Sequence, residues 1–199
     1  KGTLYLQQLQ DTILKNIDSL EIKGNGDFSF KTEVASPDIY YLYLVKNDNN
    51  DINDRITFFG EPGNITVETS WDSFDFAATV KGSATNDKFE EYKKGMSRYN
   101  ARNLELLQAR FDPNLKKDSL TIDSLIKLED KNIYRSYAYA LNFALNNKDS
   151  YVAPYIAVVE VANANVKYLD SIHKMLTPEV ASSKYGMQLK KHLEEVKKE

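Results

Sequence analysis

The sequence predicts an α+β protein in which an antiparallel β-sandwich or curled sheet is followed by an all-helical module. Up to Gly82, short runs of alternating apolar and polar residues are separated by turn residues, which is typical of antiparallel strands. From Phe89 almost to the end, apolar residues recur every three or four positions, which is typical of amphipathic helices. We therefore expect residues 1–82 to form a β module and residues 83–199 to form a helical module.

Seven short strands are expected in the β module. Asn25 and Gly63 lie in turn sequences and tolerate the positive φ that tight turns require. Phe28 and Phe30 alternate with polar neighbours and should share one face of a strand. Residues 39–45 are apolar on both faces, which is typical of a central strand. The expected strands are residues 3–6, 13–22, 27–31, 39–45, 55–59, 65–69 and 74–80.

The helical module should begin where Ser83 or Thr85 caps a helix with its side-chain oxygen. That helix should end near Pro113, because proline disfavours a helical conformation of the residue before it. Asp118 can cap the next helix. The apolar stripe expected on this second helix is Ile126, Ile133, Tyr137, Leu141 and Leu145. The stripe expected on the last helix is Tyr185, Leu189, Leu193 and Val196.

Composition and charge exclude several classes of function. The net charge of −3 is too small to argue for a nucleic-acid partner. It is divided into −6 over residues 1–82 and +3 over residues 83–199, which fits either ordinary solubility or attraction between the modules. No run of about 18 apolar residues occurs, so no membrane span is expected. The chain has no cysteine, and so has no disulfide, thiol nucleophile or thiolate metal site.

No catalytic, cofactor-binding or metal-binding residue is predicted. His173 and His192 do not form a metal-binding pair, and we interpret them as surface or half-buried residues. A hydrolase with an unrecognised site would instead need one of them to face carboxylates in a cleft. Residues 47–54 resemble a calcium loop, but Ile52 and Phe59 stand where calcium needs oxygen ligands. We interpret this stretch as a polar loop.

Aromatic residues suggest a second kind of function. Trp71 lies between two expected strands, and an exposed tryptophan in a sandwich loop can stack on a sugar or a peptide. Together with Tyr40 and Tyr43, it could form the binding surface of a ligand- or carbohydrate-binding β-sandwich. Aromatic residues more often pack in a core, so the exposure of Trp71 beside a concave surface is the observation that separates the two interpretations.

Five groups of motifs follow one another along nearly the whole chain. They are Asp18-Ser19-Leu20-Glu21-Ile22 with Gly26-Asp27-Phe28-Ser29-Phe30 and Tyr40-Tyr41-Leu42; Phe59-Gly60-Glu61-Pro62-Gly63-Asn64-Ile65-Thr66-Val67; Val80-Lys81-Gly82-Ser83-Ala84-Thr85-Asn86-Asp87; Asn147-Lys148-Asp149-Ser150-Tyr151-Val152-Ala153-Pro154-Tyr155; and Leu176-Thr177-Pro178-Glu179-Val180 with Tyr185-Gly186. In this order they resemble a family of domains of unknown function from Gram-negative cell envelopes. That family precedes the thioredoxin-like domain of thiol–disulfide oxidoreductases of the TlpA, ResA and AhpC/TSA kind.

The resemblance implies a non-catalytic scaffold or interaction region that positions or selects clients for the thioredoxin-like domain. The redox W-C-x-x-C of those proteins lies in that domain, and no redox residue can be carried over to a chain without cysteine. The implied partners are the chain's own C-terminal thioredoxin-like domain, protein clients and a second copy in a homodimer. The implied location is the cell envelope, as a periplasmic protein or an outer-membrane lipoprotein. We expect a further strand and an export signal before Lys1, and the thioredoxin-like domain after Glu199.

Overall fold

The computed structural model describes residues 1–10, 13–24, 26–47, 54–113 and 119–197. The chain divides into two compact units, Lys1–Phe89 and Glu90–Glu199. An antiparallel sheet comes first and a helical region follows, so the predicted α+β order is confirmed. The turn at Asn25, most of the polar loop over residues 47–54 and the cap at Asp118 lie outside the described residues.

A four-stranded antiparallel sheet forms most of the first unit. Its strands are β1 (Gly2–Gln10), β2 (Ile13–Ile22), β3 (Asp38–Lys46) and β4 (Asp54–Gly60), in the spatial order β2-β1-β3-β4. Two short strands, β5 (Thr66–Glu68) and β6 (Thr79–Lys81), pair with each other in a separate ribbon. β3 is paired on both edges, as its apolar pattern predicts for a central strand.

The core of this unit lies on one face of the sheet, here called the inner face. Leu4 stands opposite both Leu20 and Leu44, and directly opposed residues of antiparallel strands project to the same face. Val67 of β5 and Val80 of β6 pack against this cluster and are partly buried. The buried members are Leu4, Leu6, Ile22, Tyr40, Leu42, Leu44, Ile56, Phe58 and Phe74.

The other face of the sheet carries half-buried aromatic residues. The rings of Tyr5 and Tyr43 stack with their centroids 6.1 Å apart. The guanidinium of Arg55 lies 4.9 Å from the centroid of the Tyr43 ring and 5.7 Å from that of Tyr41. Such cation–π contacts are favourable and hold the arginine against the rings.

Two of the seven expected strands are absent from the described part of the first unit. Residues 27–31 are alternately exposed and half-buried but belong to neither sheet, and no backbone hydrogen bond joins them to another described residue. In place of a strand over residues 74–80, the chain turns, with Ala77 N donating to the carbonyl oxygen of Ser73 at 2.9 Å. Only Thr79–Lys81 remains extended there as β6.

Helix α1 (Ala84–Phe111) begins in the first unit, and its residues up to Phe89 are counted there. Ser83 is its cap, since Ser83 Oγ accepts from the backbone N–H of Asn86 at 2.9 Å. The helix ends at Phe111, shortly before Pro113, as the sequence predicts.

The second unit contains the rest of α1, α2 (Ser119–Asn146), α3 (Val152–Tyr155), a π-helical turn (Ile156–Glu160), α4 (Val166–Met175), α5 (Pro178–Ala181) and α6 (Lys184–Val196). Its most buried side chains include Leu169, Ile172, Val180 and Leu189. The predicted stripe of the last helix is largely confirmed, with Tyr185, Leu189 and Leu193 buried and Val196 exposed.

The stripe predicted for α2 is confirmed only in part, since Tyr137, Leu141 and Leu145 are half-buried but its first two members are exposed. Ile126 and Ile133 are 38% and 49% exposed. The residues of α2 that contact α1 are aromatic and polar. The rings of Tyr139 and Phe143 lie 5.9 and 5.4 Å from that of Tyr92. Asn132 Nδ2 donates to the carbonyl oxygen of Tyr99 at 2.9 Å, and Glu129 forms a 3.0 Å ion pair with Arg110. Aromatic stacking and polar contacts between the two helices therefore decide which face of α2 is covered.

Candidate functional site

A cleft lies above the inner face of the four-stranded sheet. Its volume is about 730 Å³, within the range of about 300–1,000 Å³ found for ligand sites. Its floor is formed by Leu6, Tyr40, Leu42 and Phe58, whose side chains project from β1, β3 and β4. The floor is therefore apolar and belongs to the most regular part of the fold.

Two stretches of chain form the walls of this cleft. One is the extended segment 27–34, in which Phe28, Phe30 and Val34 pack toward the core and are partly buried. The other is residues 64–67, which lead into β5. No backbone hydrogen bond joins segment 27–34 to any part of the chain that the structure describes.

A smaller cavity of about 270 Å³ adjoins the cleft at the end where β1 begins. Gly26, Phe28 and Val67 line both spaces, so the cleft continues toward Trp71. Lys46 Nζ lies 5.6 Å from the centroid of the Trp71 ring. Trp71 thus forms part of the cavity wall, with a cation beside its ring.

Two glycines, and hydrogen bonds between Glu61 and Thr85, determine the shape of the far end of the cleft. An ideal Cβ placed on Gly60 would lie 2.5 Å from Cδ2 of Tyr40, so only glycine lets the Tyr40 ring take its place in the floor. Gly82 has a φ of +90°, and a Cβ there would collide with the carbonyl oxygen of Asn64. The carboxylate of Glu61 accepts from the hydroxyl of Thr85 at 2.5 Å and from its backbone N–H at 3.3 Å.

The charges that line the cleft and its adjoining cavity are mostly acidic. Asp27 and Glu61 line the cleft together with Lys31, and Glu68, which lines the smaller cavity, forms a 2.8 Å ion pair with Lys81. The pKa of the Tyr40 hydroxyl is raised by burial and, secondarily, by the nearby carboxylate of Asp38, so this floor residue stays neutral over the ordinary pH range.

The structure separates the three residues predicted to form a binding surface. Tyr40 is only 3% exposed and lies in the floor of the cleft, while Trp71 is 37% exposed and lines the smaller cavity. Tyr43 projects from the opposite face of the sheet, because residues three apart in a strand point to opposite sides. A surface that uses Trp71 and Tyr40 along one cleft stays a prediction, and Tyr43 lies outside that cleft.

Sequence reasoning did not assign Phe28 and Phe30 to a site. Both residues line the cleft. The signal available was their alternation with polar residues, which predicts a strand but does not reveal whether that strand has neighbours on both edges. Residues 27–31 line the cleft and have no neighbouring strand within the part of the chain that the structure describes.

A second cluster of polar side chains lies in the helical unit, at the end of the π-helical turn. Glu160 accepts hydrogen bonds from the hydroxyl groups of Tyr92 at 3.5 Å and Tyr155 at 3.3 Å. Burial raises the pKa of Tyr92, and the negative charge of Glu160 raises it further. Tyr92 is therefore a neutral donor, and the cluster joins α1 to the π-helical turn through hydrogen bonds.

The histidines occupy ordinary positions on helices. His192 Nε2 lies 3.1 Å from the carbonyl oxygen of Ala162, which can only accept, so this nitrogen carries the proton of that bond. His173 lies in the last turn of α4. Within the described ranges, no three His, Cys, Asp or Glu residues are grouped so as to hold a metal ion. Nor does any helix in the same ranges have the length and apolar character needed to cross a membrane.

Comparison with known proteins relates one part of the chain to a family. No curated protein and no solved structure matches the chain. Residues 1–89 match the model of a family described as a domain of unknown function, DUF4369. The match spans the four-stranded sheet, the ribbon, both cavities and the beginning of α1. The first unit is thus similar, over its full length, to DUF4369.

Proposed function

We propose that this chain is a non-catalytic scaffold and interaction region of an envelope thiol–disulfide oxidoreductase. In this proposal it positions or selects clients for a thioredoxin-like domain on the same polypeptide. The observation that carries the proposal is the cleft, which lies within the stretch that matches DUF4369. A cleft with an apolar floor and an unpaired backbone wall can hold a polypeptide without any reactive group of its own.

Two features of the sequence support the redox context. The ordered motifs resemble the region that precedes thioredoxin-like domains. A thioredoxin-like reaction needs a thiolate, and the 199 residues contain no cysteine, so the chemistry would be done by another domain. The same resemblance supports a location in the cell envelope, in the periplasm or as an outer-membrane lipoprotein.

The complete open reading frame provides the first test. The proposal predicts that it continues past Glu199 into a thioredoxin-like domain of roughly 130–150 residues, an ordinary domain size. That domain should carry C-x-x-C at the start of a helix, where the helix N-terminus stabilises the thiolate. A reading frame without a thioredoxin-like segment contradicts the proposal.

Enzyme kinetics provide the second test. The isolated 199-residue chain should reduce insulin no faster than background. In the complete protein, its presence should lower the KM for an unfolded, disulfide-bonded polypeptide and leave the kcat for a small disulfide unchanged. Equal KM values with and without the chain would contradict client selection, because binding outside the reacting disulfide acts mainly on KM.

A ligand-binding β-sandwich is the second candidate function. The observation that favours it is Trp71, which is partly exposed and lines a concave cavity beside the cleft. Aromatic rings in such positions stack on sugars as well as on peptides. Quenching or enhancement of Trp71 fluorescence by oligosaccharides, lost in the Trp71→Ala variant, would favour this function over the scaffold.

A further inference from the structure

Segment 27–34 has the alternating sequence of a β-strand, but no strand of the described residues pairs with it. Phe28 and Phe30 face the core, and Asp27, Ser29 and Lys31 are exposed, which is the alternation of a strand with one buried face. Yet its N–H and C=O groups pair with nothing in the described part of the chain. A strand edge whose N–H and C=O groups have no partner is a site to which another strand can add.

The opposite wall of the cleft also presents a strand edge. β5 pairs with β6 on one side only, in the register Val67 opposite Val80. Its second edge has no partner strand in the ranges that the structure describes. Residues 64–67 and segment 27–34 therefore bound a space that has strand-forming backbone on both sides. We call this space, with its floor of Leu6, Tyr40, Leu42 and Phe58, the strand slot.

The strand slot fits an extended peptide in size and chemistry. Its volume of about 730 Å³ is continued by the adjoining cavity of about 270 Å³ toward Trp71. The floor is apolar, so every second residue of an extended peptide would bury an apolar side chain. In the lining of the cleft, the carboxylates of Asp27 and Glu61 stand against the single ammonium of Lys31, while Glu68 in the adjoining cavity is paired with Lys81 at 2.8 Å. The cleft lining thus has an excess of one carboxylate, which favours a basic partner.

We propose that the strand slot binds an extended polypeptide segment of a client protein, apolar at alternate positions and basic at its ends, by β-strand addition to residues 27–31. This inference names the client class for the proposed function and rests on that function. Main-chain hydrogen bonds to residues 27–31 supply affinity, while the apolar floor and the acidic lining select the sequence.

The direct test uses a fluorescein-labelled peptide, Lys-Val-Thr-Val-Thr-Val-Lys, titrated with the 199-residue chain and followed by fluorescence anisotropy. We expect saturable binding in the micromolar range, and at least tenfold weaker binding of the same peptide with both lysines replaced by glutamate. The Phe28→Ala variant, which removes a side chain from the slot, should bind at least tenfold more weakly. Phe76→Ala is the matched control, because Phe76 is 90% exposed and lines neither cavity.

A second measurement depends on the peptide and not on a variant that could fail to fold. Successive residues of a strand direct their N–H groups to opposite edges, so methylating the peptide nitrogens at positions of one parity removes the donors that face residues 27–31. One of the two N-methylated peptide sets should bind at least tenfold more weakly than the unmodified peptide. Binding of both N-methylated sets as tightly as the unmodified peptide would overturn strand addition.

Three further results would overturn the proposal. The first is absence of peptide binding by the folded chain at about 1 mM, which corresponds to only about 4 kcal/mol of binding free energy. The second is concentration-dependent protection of residues 27–31 without peptide, which would make a second copy the occupant. The third is loss of peptide binding in a longer natural form of the protein that carries residues before Lys1, which would make its own chain the occupant.

The peptide experiment is independent of redox activity. One outcome is peptide binding that N-methylation weakens, together with an unchanged KM in the complete protein. That outcome would support the strand slot and contradict the proposed function. The opposite outcome is a lowered KM for the disulfide-bonded polypeptide without binding of the labelled peptide. That outcome would contradict the strand slot and support the proposed function.

Discussion

The two units of this chain differ in where their backbone N–H and C=O groups find hydrogen-bond partners. In the helical unit, hydrogen bonds close within each helix, and the packed core contains Leu169, Ile172 and Leu189, each at most 1% exposed. In the sheet unit, a strand needs a neighbour, and segment 27–34 has none among the described residues. The backbone hydrogen bonds of a helix are internal, so they give no sign of a missing binding partner. A strand-like segment with unpaired N–H and C=O groups does give such a sign. That difference makes the sheet unit the more informative place to look for a binding function.

The largest expected effect tests whether the sheet unit is a well-packed domain despite its cleft. Phe89 is 4% exposed, and its ring meets that of Phe59 edge-on at 5.4 Å. Phe89→Ala should lower the free energy of unfolding by about 3–5 kcal/mol, as expected for a buried aromatic residue. The measurement is denaturant unfolding followed by the fluorescence of Trp71, the only tryptophan, which lies in this unit.

Phe76→Ala is the control for this variant, with an expected change within about 0.5 kcal/mol because its side chain is exposed. A loss below about 1 kcal/mol for Phe89→Ala would contradict close packing in the sheet unit. Unfolding followed in parallel by circular dichroism at 222 nm reports mainly on the helices. Coincident curves would indicate one cooperative transition for the whole chain.

The next effect tests the close packing of the helical unit. Gly186 lies in the first turn of α6, and a Cβ there would collide with the carbonyl oxygens of Val180 and Ala181. Helix propensity alone predicts that Gly186→Ala is stabilising by about 1 kcal/mol. Because backbone atoms cannot move aside easily, we expect a net loss of about 1–3 kcal/mol in unfolding followed at 222 nm.

Met187→Ala is the neighbouring control for Gly186→Ala, since Met187 is 59% exposed. Its effect should stay within about 0.5 kcal/mol. Stabilisation of the protein by Gly186→Ala would show that α5 and α6 approach less closely than described.

A smaller effect concerns the start of α1, in the sheet unit. Ser83 is 1% exposed, and its hydroxyl caps the backbone N–H of Asn86. Ser83→Ala should cost about 1 kcal/mol in the transition followed by Trp71 fluorescence. Ser97→Ala, at an exposed position in the same helix, is the control. Equal effects of the two substitutions would contradict the capping role.

The smallest effect is electrostatic and lies in the helical unit. Hydrogen bonds from Lys174 and Lys197 lower the pKa of Asp170 to about 2 from the ordinary value of 3.8. The folded pKa is below the unfolded one, so this stabilisation is present above about pH 4 and is lost as the pH falls from 3.8 toward 2. Carboxyl chemical shifts in an NMR titration should give a midpoint near 2 for Asp170. A midpoint near 3.8 would contradict the ion pairs.

Much of the fold was predictable because local pattern and tertiary environment agree. The double-faced apolar pattern of residues 39–45 correctly predicted the central strand β3, and the Ser83 cap marked the start of α1. The orientation of α2 was only partly predictable, because Asn132 and Glu129 are covered through contacts with α1 that no periodicity encodes. Likewise, Phe28 and Phe30 correctly predicted alternating burial but wrongly predicted a strand, because whether a neighbouring strand is present among the described residues depends on chain topology. The cleft, and hence the candidate site, follows from that topology.

Hydrogen–deuterium exchange of the free 199-residue chain tests the central claim most directly. It compares the backbone amides of residues 27–31 with those of residues 40–44 in β3, which are paired on both sides. We predict that the amides of residues 27–31 exchange at nearly the rate of an unstructured peptide while those of β3 are strongly protected, because only the latter donate to neighbouring strands. Protection of residues 27–31 comparable to that of β3 in the dilute, peptide-free chain would contradict an open strand slot.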